Sequence, residues 1–313
     1  MTVADRSTTR GDGVELPAPF LAFAGRSDAW ARWLAELPRL ISRVLAEWSL
    51  TRDGEVRNGQ TAVALPVLTS DGERAVAKFG WPHPEAEHEH LALRTWAGHG
   101  AVRLLRADPR RSVLLLERAD AERDLTTVPV IEACEVVAGL YAQLHRSAIP
   151  QLDRLSSSAA RWAEELPRLR TNRLVPRRYV DQAAGLARDF AADPASDGRL
   201  IHSDLHYFNV LAAGRQPWLA IDPKPLSGEA AYEVAPMLWN RWDEAVASGN
   251  IRAALLRRMY TLVDAAGLDE DRVRAWVVVR EMVNVFWELI HPSAPVSTDW
   301  IITVITIVKA VQR

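Results

Sequence analysis

The hydrophobic pattern of this chain changes period once, near residue 118, and that change limits the fold more than any other feature. Before it, apolar residues fall in short alternating runs. Gln60 to Leu68 and Arg74 to Phe79 flank a Ser70-Asp71-Gly72 turn, and Asp-Gly between two such runs signals a β-hairpin. Further strands are predicted near 102–106 and 112–117. A helix is predicted from Ser27 or Asp28, with Trp30, Trp33, Leu34, Leu37 and Ile41 on one face and Pro38 as a point of kinking. A second opens at Pro84 and reaches about Ala97. Beyond the change the pattern is helical at 129–147, 157–167, 177–192, 231–247, 250–266, 270–290 and 296–311, broken by one short β segment around 209–222. The expectation is an α+β chain of two lobes: a flexible leader at 1–27, a small mixed α/β lobe at 28–118 and a larger, mainly helical lobe at 119–313.

Composition narrows the function classes. The 38 basic and 40 acidic residues leave a formal net charge of −2, which disfavours a general nucleic-acid binder. The sole cysteine, Cys134, cannot form an internal disulfide or a cysteine-based zinc site, and it fits a reducing, cytoplasmic setting. No secretory leader is visible. The most apolar stretch, Trp300 to Val308, falls short of the ~20 residues of a membrane helix and reads as a buried terminal helix, so no membrane partner is expected. No glycine precedes a lysine, which excludes a P-loop. Tryptophan is over-represented, with 12 residues against 5 tyrosines and 6 phenylalanines.

The segment His202-Ser203-Asp204-Leu205-His206-Tyr207-Phe208-Asn209 carries the chemistry. Asp204 and Asn209 stand five apart, and an apolar run, Trp218-Leu219-Ala220-Ile221, delivers Asp222. That is the spacing of a kinase catalytic loop followed by a metal-binding aspartate. Phosphoryl transfer needs a carboxylate to orient and deprotonate the attacking hydroxyl, and Asp204 fits. It also needs hard oxygen ligands for Mg²⁺, which Asn209 and Asp222 supply. His202 is read as a brace for the loop. His206 is a brace, a polar loop residue or a substrate contact.

A phosphate-binding cation is expected at Lys78, in the strand Ala75-Val76-Ala77-Lys78-Phe79. On the following helix Glu89 falls on the apolar face between Leu93 and Trp96, where a carboxylate is costly unless paired. Glu89 is therefore the expected partner of Lys78, with Glu85 as runner-up. Glu117, Arg118 and Ala119, where the strand Val113 to Leu116 runs out, are expected to offer backbone groups to the purine edge. The turns Asp53-Gly54 and Asn58-Gly59 are candidates for a phosphate cover or for plain hairpin turns.

With these residues in place, the chain resembles the aminoglycoside phosphotransferases, in the branch of the streptomycin 6-phosphotransferases and hydroxyurea phosphotransferases. The resemblance runs from about residue 28. It is carried by His202 to Asn209, by Trp218 to Lys224, by Ala231 to Trp242, and by Leu114 to Arg118 and Leu144-His145-Arg146. It implies a two-lobed protein-kinase-like fold, an ATP- or GTP-dependent enzyme using Mg²⁺, Asp204 as base, Asn209 and Asp222 as metal ligands, and Lys78 on the nucleotide phosphates. Ser203 stands where the family usually has Gly, Glu233 where it usually has Asp, and Pro225 to Gly228 also departs from the commoner text.

The expected activity is O-phosphorylation of a small-molecule hydroxyl, on streptomycin or a related aminoglycoside in antibiotic resistance. Hydroxyurea or another small alcohol is the alternative acceptor, and a non-catalytic nucleotide-binding protein the further alternative. A guanidinium-bearing acceptor calls for an acidic pocket. Glu229 to Asp299 holds 11 acids against 7 arginines. Asp243, Glu281 and Glu288 are the candidate acceptor residues beside Asp204 and His206, with tryptophan faces such as Trp239, Trp242, Trp276 and Trp287 available for cation–π contact. Arg241 and Arg280 are candidate internal partners for these acids. A monomer or weak homodimer is expected.

Overall fold

The computed structural model describes residues 14–290 and 296–312. They form two compact units, one of residues up to Pro82 with Leu105–Arg118, the other of His83–Leu104 with the chain from Ala119 onward.

The first unit is built on a six-stranded sheet of β1 (Thr51–Arg52), β2 (Arg57–Asn58), β3 (Ala62–Leu68), β4 (Arg74–Gly80), β5 (Leu104–Asp108) and β6 (Val113–Glu117). Its order is β1-β3-β4-β6-β5, with β2 also on β3. The predicted hairpin is β3–β4. Its tight turn is closed by the Gly72 N–H on Thr69 O at 2.9 Å, with Gly72 at φ 80°. Alternation buries Val63, Leu65 and Val67 on β3 and Ala75, Ala77 and Phe79 on β4. Those side chains join a core with Trp30, Leu34, Leu37, Ile41 and Val44, the apolar stripe of a 20-residue helix spanning Asp28–Glu47. Ser27 caps that helix through its Oγ, 3.2 Å from the Trp30 N–H, and the helix continues through Pro38.

The chain before this helix departs from the expected loose leader. Residues 1–13 lie outside the described residues. Ala18–Leu21 is a helical turn, designated α1, and Asp28–Glu47 is α2. Phe20 is fully buried, in edge contact with Phe23, Trp30 and Trp33, and Trp30 stacks on Trp81 at 4.6 Å. Apolar surface on Pro17 to Phe23 therefore contributes to the core.

The second unit opens with α3 (Pro84–Glu87) and α4 (Glu89–Trp96). Residues 83–104, read from sequence as part of the small lobe, are tied here instead: Trp96 Nε1 donates to Leu144 O at 2.8 Å, and Ala101 bridges to Ala220. Two three-stranded sheets follow. One is β7 (Asp120–Asp124), β10 (Val210–Ala212) and β11 (Trp218–Ala220). The other is β8 (Arg146–Ser147), β9 (Arg199–Ile201) and β12 (Leu226–Gly228). The helices are α5 (Val130–Leu144), α6 (Leu155–Glu165), α7 (Arg177–Ala192), α8 (Pro236–Trp239), α9 (Trp242–Ala247), α10 (Ile251–Ala266), α11 (Glu270–Ile290) and α12 (Thr298–Val311). Helix α11 packs on α7 and α12, and α5 on α10. The apolar run near the C-terminus is α12, with Ile301, Val304, Ile307 and Val308 buried. Among the described residues no helix is long and apolar enough to cross a membrane.

The single helix predicted at 231–247 is three pieces: a 3₁₀ turn at Ala230–Val234, α8 and α9. Pro236 supplies no N–H, and Arg241 adopts φ 53° while its guanidinium donates to Leu125 O and Val128 O. Tertiary capture of Arg241 breaks the helical run.

Candidate active site

Strand β9 leads into His202, and β10 leaves from Asn209. Strand β11 delivers Asp222, and β12 returns to pair with β9. Two backbone bonds fasten these pieces together: the Ile221 N–H donates to Asn209 O and the Lys224 N–H to His202 O, each at 2.9 Å. A linear spacing of residues thereby becomes one cluster.

His202 braces this cluster. Its Nδ1 accepts the Asp204 N–H at 3.3 Å and its Nε2 donates to Ile221 O at 2.9 Å, while the ring lies parallel to Trp96. Burial pushes the imidazole down to about 4, so it stays neutral and keeps both roles. Ser203 takes φ 59°. Its N–H donates to Glu233 Oε1 at 2.6 Å, its hydroxyl donates to Lys224 O, and its carbonyl accepts from Arg280 Nη2. Glu233 is fully buried. Burial pushes its carboxyl up, but His145 Nε2 at 2.9 Å, the neighbouring His202 and the Ser203 N–H more than offset this and hold it below the usual range. Tyr141, stacked on His145, donates to Glu233 O at 3.0 Å.

Burial pushes Asp204 up to about 6. Arg280 and Lys224 pull it down, and the charges of Asp222 and Glu85 push it further up. Its side chain remains 31% exposed, so a substrate hydroxyl has access to it. His206 caps the turn at Tyr207–Asn209 by accepting the Phe208 N–H on Nδ1 at 3.3 Å. Its Nε2 lies 3.3 Å from Asn209 Nδ2 and 3.8 Å from Asp204 Oδ1. Burial holds this ring too at about 4.

Asn209 commits its amide nitrogen to Asp204 O at 2.9 Å, which leaves its amide oxygen as the atom that can meet a cation. Asp222 stands beside it at φ 55°, paired with Lys224 Nζ at 2.9 Å. One amide oxygen and one carboxylate are hard donors that fit Mg²⁺, a cation that keeps waters and substrate phosphates as its remaining ligands. Among the described residues no group of three or more His, Cys, Asp or Glu side chains forms a metal cage. A Mg²⁺ carried largely by nucleotide phosphates needs none.

The other sequence candidates fall on several elements. Lys78 lies in the middle of β4, in register with Ala64 and Leu114, in the first unit. Glu89 is buried in the first turn of α4, in the second. Glu117 ends β6 opposite Ala75. Arg118 pairs with Asp53 at 2.5 Å, so its side chain is committed within the first unit. Asp53-Gly54 follows β1 before β2, and Asn58-Gly59 spans the end of β2 before β3.

The acceptor candidates do not form one wall. Asp243 is exposed in the first turn of α9. Glu281 is fully buried, with Oε1 unpartnered, and burial holds it well above the carboxylate range. Glu288 accepts the Ser297 N–H at 2.7 Å. Three other acids of the segment are spent internally: Glu229 on Arg272, Glu244 on Arg241 and Glu270 on Arg274. Arg280 occupies the face of Trp239, and Trp276 stacks on Phe190 at 3.8 Å.

Sequence reasoning missed Lys224, Glu233 with His145, and the closeness of Glu85 to Asp204. Lys224 was visible as a lysine two residues beyond Asp222. Glu233 meets Ser203 across 30 residues, a contact no local pattern announces.

A sequence profile described as aminoglycoside/hydroxyurea antibiotic resistance kinase matches residues 47–289. The streptomycin 6-kinase of Streptomyces glaucescens is 40% identical over 287 residues, covering 90% of this chain and 93% of that protein. The hydroxyurea phosphotransferase of Kitasatospora aureofaciens is 38% identical over 288 residues, covering 89% and 82%. Among solved structures, a spectinomycin phosphotransferase in complex with ADP and spectinomycin superposes with a TM-score of 0.58 at 13% identity, covering 87% of this chain and 96% of that one, and shares its kinase-like fold. On the match over residues 47–289 and the identity to these relatives, the chain belongs to the aminoglycoside/hydroxyurea antibiotic resistance kinase family.

Proposed function

We propose that this enzyme transfers the γ-phosphoryl group of ATP or GTP to a hydroxyl of streptomycin or a closely related aminoglycoside, in the cytoplasm, as a resistance reaction. The carrying observation is the clamped loop, in which Asp204, Asn209 and Asp222 are brought together and the Asp204 carboxyl is raised by burial yet accessible. Asp204 orients the acceptor hydroxyl and takes its proton as the acceptor oxygen bonds to the γ-phosphorus. The bond from that phosphorus to the β–γ bridging oxygen breaks, and the nucleoside diphosphate leaves. Asn209 and Asp222 hold Mg²⁺, which when bound neutralises charge on the phosphates. Lys78 takes nucleotide phosphates, Glu89 is assigned to the nucleotide site, and the backbone at Glu117, Arg118 and Ala119 reads the base.

The internal pairing of Glu229, Glu244 and Glu270 supports a second acceptor class, a small neutral hydroxyl compound such as hydroxyurea, which needs no acidic wall. The test is nucleoside diphosphate release by purified protein with Mg²⁺ and an acceptor panel, with the product mass read for one added phosphate. Streptomycin-dependent turnover that falls on the order of 10²–10⁴-fold in Asp204→Ala supports the first reading. Turnover with hydroxyurea alone supports the second, and equal acceptor-dependent rates in wild type and Asp204→Ala overturn both.

A further inference from the structure

We propose that Lys224 is a catalytic residue of this site, its ammonium binding a non-bridging oxygen of the phosphoryl group in transfer. The inference rests on the phosphotransfer reading above and adds a group that reading does not use.

Lys224 is held differently from a surface lysine. Its backbone is fastened to the catalytic loop at both ends: its N–H donates to His202 O at 2.9 Å and its carbonyl accepts from the Ser203 hydroxyl. The Cα is thus tied to the segment that carries Asp204. The side chain is only 15% exposed and turns inward, Nζ reaching Asp222 Oδ1 at 2.9 Å. The charge also acts on Asp204, so the ammonium stands in the field of both the base and the metal-binding carboxylate.

The other cation here is differently employed. Arg280 donates to Ser203 O and Tyr232 O and lies over the rings of Tyr232 and Trp239. Its donors brace backbone. Lys224 has three N–H donors, of which the Asp222 bond uses one. A compact ammonium suits phosphate as a point charge. The phosphoryl group in transfer spreads charge over its three equatorial oxygens while its bond to the leaving oxygen breaks and that to the acceptor forms. A fixed cation beside the base meets that charge where it develops and keeps its own proton throughout.

The rival role is a counter-ion for Asp222 with no contact to phosphate. The experiment is calorimetry of ADP and of a non-hydrolysable β,γ-imido analogue of ATP at constant Mg²⁺, on wild type, Lys224→Met and Lys224→Arg, with kcat on the best acceptor. Wild type is expected to bind the analogue more tightly than ADP. Lys224→Met should lose that preference while keeping its ADP affinity, with kcat down on the order of 10²–10³-fold. Lys224→Arg should keep the preference and recover part of kcat, and it carries the test if the methionine variant does not fold. No preference in wild type, a preference retained in Lys224→Met, or equal weakening of both nucleotides in that variant overturns the proposal. The binding arm needs no turnover, so a wrong acceptor assignment leaves it readable.

Discussion

Ser203 and Asp222 both take positive φ, 59° and 55°, in a region that strains an ordinary L-residue by about 1–2 kcal/mol. Ser203 flanks Asp204, and Asp222 is itself assigned to the chemistry, where such strain is commonly found. Three hydrogen bonds hold Ser203 there, one of them from its own hydroxyl to Lys224 O. Ser203→Gly relieves the strain and loses that bond, two effects of about 1 kcal/mol each and opposite sign, so its urea midpoint should stay close to wild type. Ser203→Ala keeps the strain and loses the bond, and should be destabilised by about 1 kcal/mol. The raised Asp204 carboxyl gives a second residue-level prediction. Its value of about 6, mainly from burial, lies above the ordinary 3.8. The folded state therefore binds this proton more tightly than the unfolded chain does. The associated stability is fully present below about 4 and is lost as pH rises through about 6. Asp204→Asn should melt above wild type at pH 8, and the gap should close as pH falls from 6 to 4. In wild type kcat/KM should decline below about pH 6 as the base is protonated.

Among the elements, α11 ties the second unit together. Arg272 at its start pairs with Glu229 and Asp193, Arg274 reaches Val311 O, Arg280 holds the Ser203 carbonyl, and Glu288 caps α12 through Ser297. Glu281 sits on the same helix with one carboxyl oxygen unpartnered and Asn284 at 3.4 Å from the other. A buried carboxyl with an unmet oxygen costs more than an apolar group of its shape. Glu281→Met should therefore stabilise the fold by about 1–2 kcal/mol in chemical unfolding. A loss of acceptor affinity in that variant would return Glu281 to the acceptor site. Glu233→Ala should act oppositely. It strands the Ser203 N–H and His145 in the interior, and a loss of about 3–5 kcal/mol is expected. The sequence made some elements legible and hid others for physical reasons. The β3–β4 hairpin and α2 bury one face each, so their periods are written in the residues. Strands β8, β9 and β12 are two or three residues long, too short to show a period. The spacing of Asp204, Asn209 and Asp222 is local and readable. The Glu233–Ser203 and Lys224–His202 links depend on how distant segments fold back, and no window along the chain contains them.

Over the whole molecule much of the tryptophan excess goes into packing, while Trp287 is exposed. Trp30, Trp33 and Trp81 form one cluster in the first unit. In the second, Trp96 covers His202, Trp162 stacks near Tyr232, and Trp276 lies on Phe190. Three acids of the acidic segment, Glu229, Glu244 and Glu270, pair with arginines of the same unit. A cationic acceptor bound for transfer lies close to the base, where a nearby carboxylate can meet its charge. Glu85 is the candidate the structure supplies: it is exposed, and its charge raises both Asp204 and Tyr232. Neutralising it removes one source of upward pressure on Asp204, so Glu85→Gln should move the acid limb of kcat/KM to lower pH. It also removes attraction for a cation at that point. KM for a guanidinium-bearing acceptor should rise a few fold, as expected for an exposed charge contributing about 0.2–1 kcal/mol, while KM for hydroxyurea stays unchanged. Added salt should mimic the substitution, because at 0.1 M the screening length is about 10 Å. The wild-type KM for the cationic acceptor should climb with ionic strength, and that slope should flatten in Glu85→Gln. An acid limb that does not move, together with equal salt slopes in the two proteins, would remove Glu85 from the acceptor site.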